Sequence, residues 1–187
     1  MITNIIIGKK SFVTKALLRY INKAEVISAN NLDDLALNKI SSKKKINLIF
    51  NNFYPSKLLN SLSYKDYRKF EKLSLNNLTF ILSKIPSKKV NKIIYTSSAS
   101  VYRLVENINN QTKDQFNRTL YSSFKLASEK VILNYCTKNN VNYNIFRLFN
   151  SFGDPNDEFS FIEKIIKSKI NKKKILLIND GSSIRDF

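Results

Sequence analysis

The sequence predicts an α/β fold, a doubly wound parallel sheet, on two observations. Short apolar runs of strand length alternate with segments of helical period along the chain, and no repeat, linker or low-complexity tract interrupts the alternation. Such alternation implies parallel strands joined by right-handed crossovers, in one domain over 1–187.

Each element follows in order. Ile5-Ile6-Ile7 reads as the first strand, and residues Phe12 to Ile21 as the first helix, with Leu17, Leu18 and Ile21 on one face. Glu25 to Ser28 is a short second strand, followed by a brief helix around Leu32 to Ile40 and the strand Ile46 to Phe50. A long helical region from about Tyr64 to Ile85 stops at Pro86, which cannot continue it. Lys92 to Ser98 is a buried strand running into hydroxyls, Tyr121 to Tyr135 a helix, Tyr143 to Leu148 a strand, and Asn150 to Gly153 a turn. The interval between the second strand and Ile46 holds a single helix where a full dinucleotide fold has a further helix and strand, so an edge of the sheet is expected to be missing.

Composition narrows the chemistry. Histidine is absent, which removes His-based triads and imidazole bases and, with one cysteine, leaves no expected metal site. Cys136 has no partner for an intrachain disulfide, and a reducing cytoplasm is the expected location. No apolar run is long enough to span a bilayer, and Ile2 to Ile7 is too short for a signal peptide. The net charge of +18 raises a nucleic-acid partner. Lys, Asn and Ile are enriched together, however, as codon bias would enrich them, and the lysines are scattered. The tight runs Lys43-Lys44-Lys45 and Lys172-Lys173-Lys174 precede predicted strands as loop charges, and no lysine stripe interleaved with aromatics is evident. No nucleic-acid or membrane partner is expected; the same field favours an anionic small molecule such as a nucleotide diphosphate.

Tyr121 and Lys125 lie one turn apart on one helix face. An ammonium beside a phenol favours the phenolate, so Lys125 is expected to lower the Tyr121 pKa and make it an acid/base. Ser98, at the end of a buried strand, would hold a substrate oxygen beside that tyrosine. A Tyr-x-x-x-Lys alone arises readily in a lysine-rich chain with nine tyrosines; the order of parts around it gives it weight.

Those parts resemble the extended short-chain dehydrogenases/reductases, the NAD-dependent epimerase/dehydratase family that modifies nucleotide sugars. The matching pieces are Ser97-Ser98-Ala99-Ser100-Val101-Tyr102, Tyr121 to Lys125, Arg147-Leu148-Phe149-Asn150-Ser151-Phe152-Gly153 and Gly181-Ser182-Ser183-Ile184-Arg185-Asp186-Phe187. The resemblance spans the chain and is strong from about Ile93 onward. It implies a Rossmann-like sheet with an incomplete C-terminal substrate lobe beginning at 151–187, since relatives continue past Arg-Asp-Phe. It also implies hydride transfer between a sugar carbon and NAD or NADP. Tyr121 would be the acid/base, Ser98 a partner of the same substrate oxygen, and Lys125 the holder of the nicotinamide ribose. Asn150 would sit near the substrate and nicotinamide, and Arg185 would grip the substrate's diphosphate. A homodimer through the helices Tyr64 to Ile85 and Tyr121 to Tyr135 is the expected assembly.

The cofactor loop reads Gly8-Lys9-Lys10-Ser11-Phe12-Val13-Thr14, with Ser11 and Thr14 where a Rossmann turn places its second and third glycines. Ser11 is small and adds a donor, Lys9 and Lys10 add charge, and Phe12 and Val13 begin a helix whose amides face an anion. Thr14 is bulky where close helix–strand packing is wanted. Asn51, after the third strand, joins the cofactor side. The second strand ends Ser28-Ala29-Asn30-Asn31 without an acid, and Asn30 would bond a ribose hydroxyl, so the choice between NAD and NADP is open. Asp33 and Asp34 read as helix-capping residues. The chain departs from the family at Phe124 (usually small and polar), at Ser74 (often asparagine, in a proton relay) and at Phe152 (usually tyrosine). The short edge is similar to the reductase branch acting on deoxy-keto nucleotide sugars. A non-catalytic or inactive truncated Rossmann-fold binding module is the alternative. The worn glycine loop favours it, and the intact Ser98, Tyr121 and Lys125 oppose it.

Overall fold

The computed structural model describes residues 2–30, 32–51, 63–104, 120–149, 151, 153 and 161–174. Among the described residues, five strands form one sheet: β1 (Thr3–Ile7), β2 (Ala24–Ile27), β3 (Ile46–Phe50), β4 (Val90–Ser98) and β5 (Asn142–Leu148), in the order β2-β1-β3-β4-β5. The pairs β1–β2, β1–β3 and β3–β4 are parallel, with Ile6 opposite both Val26 and Ile49, and Ile49 opposite Ile94. Among the described residues the sheet ends at β2.

Isoleucine dominates these strands because its branched side chain is stiff and packs well on a pleated surface. Ile5, Ile6 and Ile7 are fully buried, so β1 is covered on both faces. The helices are α1 (Phe12–Leu17), α2 (Asp34–Ser41), α3 (Tyr64–Glu71), α4 (Asn77–Lys84), α5 (Leu120–Asn139) and α6 (Phe161–Ile170). Leu37 and Ile40 of α2, Leu78, Ile81 and Leu82 of α4, and Ile132 and Cys136 of α5 join the strand side chains in one core. Asp33 caps α2 by accepting the Ala36 amide at 2.8 Å, as expected of it.

The structure corrects three details. α1 stops at Leu17, because the next residues tighten into bonds from Arg19 N to Ala16 O and from Tyr20 N to Leu17 O, and Lys23 then adopts φ 62°. Leu18, expected on the buried face, is therefore 43% exposed. The region from Tyr64 is helical throughout but holds a π-helical segment, Lys72–Asn76, between α3 and α4. Helix α6 was not apparent from the sequence.

The chain divides into two compact units, Met1–Arg147 and Leu148–Phe187. In the second, Gly153 has φ 102°, and its amide donates to the buried Glu163 of α6 at 2.8 Å.

Candidate active site

The turn after β1 is built for close approach. Gly8 has φ +122°, and a Cβ there would stand 2.0 Å from the Asn51 carbonyl oxygen, so only glycine fits. Thr14, wholly buried, turns its bulk to use: Oγ1 donates to the Gly8 carbonyl at 2.8 Å and accepts from Asn51 Nδ2 at 2.9 Å. The Thr96 hydroxyl is shared between Asn51 Oδ1 at 3.0 Å and the Phe50 carbonyl at 3.2 Å. These bonds tie the turn and α1 to β3 and β4. Asn51, expected among the cofactor contacts, has its carboxamide fully buried in this network.

Ser11 is the N-cap of α1, yet its side chain caps nothing; Oγ is buried and without a hydrogen-bond partner. A buried hydroxyl pays a desolvation penalty unless something completes its bonding. An orphaned donor beside a glycine that admits no Cβ fits the phosphates of a dinucleotide. Phe12 and Val13 are half-buried on the first turn, and Lys9 and Lys10 are exposed. Asn30 is also exposed; its amide donates to Ser28 Oγ at 3.3 Å.

The second group lies where β4 ends. Ser98 Oγ meets the Ser100 amide at 3.2 Å and the Ser100 hydroxyl at 3.0 Å, and its side chain hydrogen-bonds Tyr121. Lys125, fully buried, donates from Nζ to the Thr96 carbonyl at 2.7 Å, with Nζ 4.9 Å from the Tyr95 ring centre and 5.7 Å from that of Tyr121. Ser98, Tyr121 and Lys125 are therefore brought together at the end of β4.

Their electrostatics differ from expectation. Burial raises the Tyr121 pKa, and the Ser98 hydrogen bond only partly opposes it. Burial also lowers the Lys125 pKa to about 7, against the pull of Glu129. In this state Lys125 does not depress Tyr121, because burial disfavours both charged forms.

Glu129, one further turn along α5, was missed in the sequence. It is buried, accepts from the Ser97 hydroxyl, and forms a bidentate pair with Arg147 of β5, from Nε at 3.1 Å and Nη2 at 2.8 Å. The guanidinium also lies 4.6 Å from the Tyr102 ring centre, and the Glu129 hydrogen bond raises its pKa further. The signal available was the carboxylate at the next i+4 position on the Tyr121–Lys125 face.

Of the departures, Phe124 packs edge-on against Phe70 at 5.3 Å and Tyr67 at 6.3 Å, an aromatic contact between α5 and α3. Ser74 is fully buried and spends its hydroxyl on the Phe70 carbonyl at 2.6 Å inside the π-helical segment. Asn150, Phe152 and Arg185 lie outside the described residues. Among those described, no helix is long and apolar enough to cross a membrane.

Residues 5–187 match the model of the NAD dependent epimerase/dehydratase family. The bifunctional polymyxin resistance protein ArnA of Wigglesworthia glossinidia brevipalpis is 35% identical over 129 residues, 59% of this chain and 19% of that protein. Among solved structures, the UDP-N-acetylglucosamine 4-epimerase of Methanobrevibacter ruminantium M1, in complex with UDP-N-acetylmuramic acid, superposes with a TM-score of 0.74 at 21% identity, over 99% of this chain and 68% of that one. The UDP-glucuronic acid 4-epimerase of Bacillus cereus, in complex with UDP-glucuronic acid and NAD, gives 0.73 at 16% identity, over 99% and 68%. The matched stretch is thus about a fifth of the curated relative and about two thirds of each solved neighbour.

Proposed function

The chain belongs to the NAD dependent epimerase/dehydratase family, and on that premise we propose that it acts on a nucleotide sugar, as an epimerase, dehydratase or reductase. The observation that carries the reading is the hydrogen-bonded Ser98–Tyr121 pair beside the fully buried Lys125, at the C-terminal end of a central parallel strand. Ligands of open α/β sheets bind outside those strand ends.

A bound nicotinamide cofactor, NAD or NADP, would supply hydride acceptance and return. Gly8 and Ser11 would hold its phosphates and Lys125 its nicotinamide ribose. Tyr121, kept a phenol by burial, would give its proton to a sugar keto oxygen, and the phenolate so formed would take one from a hydroxyl in the reverse direction. The Ser98 hydroxyl would hydrogen-bond the same oxygen as charge develops there. In this reading residues 151–187 begin the substrate lobe, with Asn150 near the reacting sugar and Arg185 on the diphosphate.

The test is turnover of UDP- and dTDP-sugars with added NAD(H) or NADP(H), in the chain and in Tyr121→Phe. Removing the proton carrier should lower kcat by about a hundredfold or more. Undiminished turnover in Tyr121→Phe would remove Tyr121 from the chemistry.

A further inference from the structure

The adenosine end of the cofactor site carries information that the family match does not. The β1 turn passes directly over the end of β2, where the amides of Gly8 and Lys9 both donate to the Ile27 carbonyl, at 3.0 and 3.3 Å. Lys9 and Lys10, both exposed, therefore follow the point at which β2 terminates. In a dinucleotide fold this is the position of the adenosine ribose. A carboxylate there pairs with a free 2′-hydroxyl and repels a 2′-phosphate, whereas a cation accepts the phosphate.

Among the described residues, no carboxylate stands at the end of β2. The chain from Ser28 to Leu32 contains none. The acids of β2, of α2 and of its N-cap have partners of their own: Glu25 with Lys43, Asp33 with the Ala36 amide at 2.8 Å, and Asp34 with Lys84 at 3.4 Å. The Ala29 carbonyl accepts from Asn77 Nδ2 at 2.8 Å, which fixes the segment after β2 to α4. What remains at the strand end is neutral (Ser28, Asn30), and the turn bonded to that end carries two exposed lysines.

We propose that this end of the site selects the 2′-phosphate of NADP(H) over the free 2′-hydroxyl of NAD(H), with Lys9 and Lys10 as the phosphate's partners. The inference rests on the cofactor reading given above and goes beyond it in naming which dinucleotide is preferred.

Equilibrium titration of the cofactor-free chain with NADPH and with NADH, read by nicotinamide fluorescence, tests it without any turnover. NADPH should bind about tenfold tighter or more, the effect of a charge-assisted contact at an exposed site. The double variant Lys9→Ala/Lys10→Ala should lose about that factor for NADPH and little for NADH. Asn30→Asp, which puts a carboxylate where Asn30 would bond the ribose, should weaken NADPH while leaving NADH bound. Equal or tighter binding of NADH overturns the proposal. So does an NADPH preference that survives the double variant, or one that falls equally in Lys138→Ala at the last turn of α5, which would assign it to net charge. Binding of neither dinucleotide would remove the cofactor reading itself, and this inference with it.

Discussion

Two buried polar networks flank β4, and they are built from different materials. At the β1 turn, Gly8, Thr14, Asn51 and Thr96 are linked by neutral hydrogen bonds of 2.8–3.0 Å. Along α5, Lys125, Glu129 and Arg147 make an ionisable ladder with Ser97. They meet at Thr96, whose hydroxyl serves the first and whose carbonyl serves the second. A neutral network fixes backbone and holds at any pH. A charged one carries desolvation penalties that only good pairing offsets, and it responds to protons. The first therefore fixes the β1 turn against β3 and β4, while the second holds groups whose protonation can change.

Perturbing each network separates them, and the largest effect is expected in the neutral one. Gly8→Ala meets the Asn51 carbonyl at 2.0 Å with φ +122°, so strain and clash are both unavoidable. It should lose at least about 3 kcal/mol in urea unfolding, or fail to fold; a loss under about 1 kcal/mol would mean the turn is far softer than its geometry.

In the charged network, Glu129→Gln breaks the bidentate pair and leaves the Arg147 guanidinium, whose side chain is 29% exposed, without its anion. A loss of about 2–3 kcal/mol is expected by the same measurement, discounted from a fully buried pair for that exposure. A double-mutant cycle with Arg147→Met should show most of it as coupling between the two residues.

Lys125→Met should show the sharpest contrast, because its effect depends on pH. The folded pKa of about 7 lies below the ordinary 10.5. Between those values the unfolded chain binds a proton that the folded chain does not, so this group makes stability rise with pH. Below about 7 the folded state bears the full cost of burying the ammonium. Relative to wild type, the variant should thus be favoured more at about pH 6 than at about pH 10, by about 2 kcal/mol or more. Urea midpoints across that range check it, and a pH-independent difference would contradict the lowered pKa. Asn51→Leu, in the neutral network, should show no such slope.

The smallest effect belongs to the aromatic contact beside both. Phe124→Ser, which restores a small polar residue, removes edge-on contacts to Phe70 and Tyr67. It should cost about 1–2 kcal/mol, and leave dinucleotide binding intact if Phe124 serves packing alone.

The alternation of isoleucine-rich strands and helices, the shortened edge before Ile46 and the Tyr121–Lys125 face were legible in the chain, because they rest on local periodicity and on spacing within one element. The Ser98–Tyr121 meeting was legible through the order of motifs. Other features required the folded chain. Thr14 looked too bulky for its position until Asn51, far away in sequence, supplied the partner for its hydroxyl. Phe124 looked intrusive until α3 supplied two rings. The expectation that Lys125 would acidify Tyr121 reversed because adjacency on a helix gives distance but not burial. Fully desolvated, Lys125 has its own pKa lowered to about 7, and Tyr121 holds its proton more tightly. Sequence by itself determined the order of elements and which side chains share a face. Only the tertiary structure decided protonation, close approach and the completion of buried hydrogen bonds, since each depends on how much water and which distant partners the packing leaves around a group.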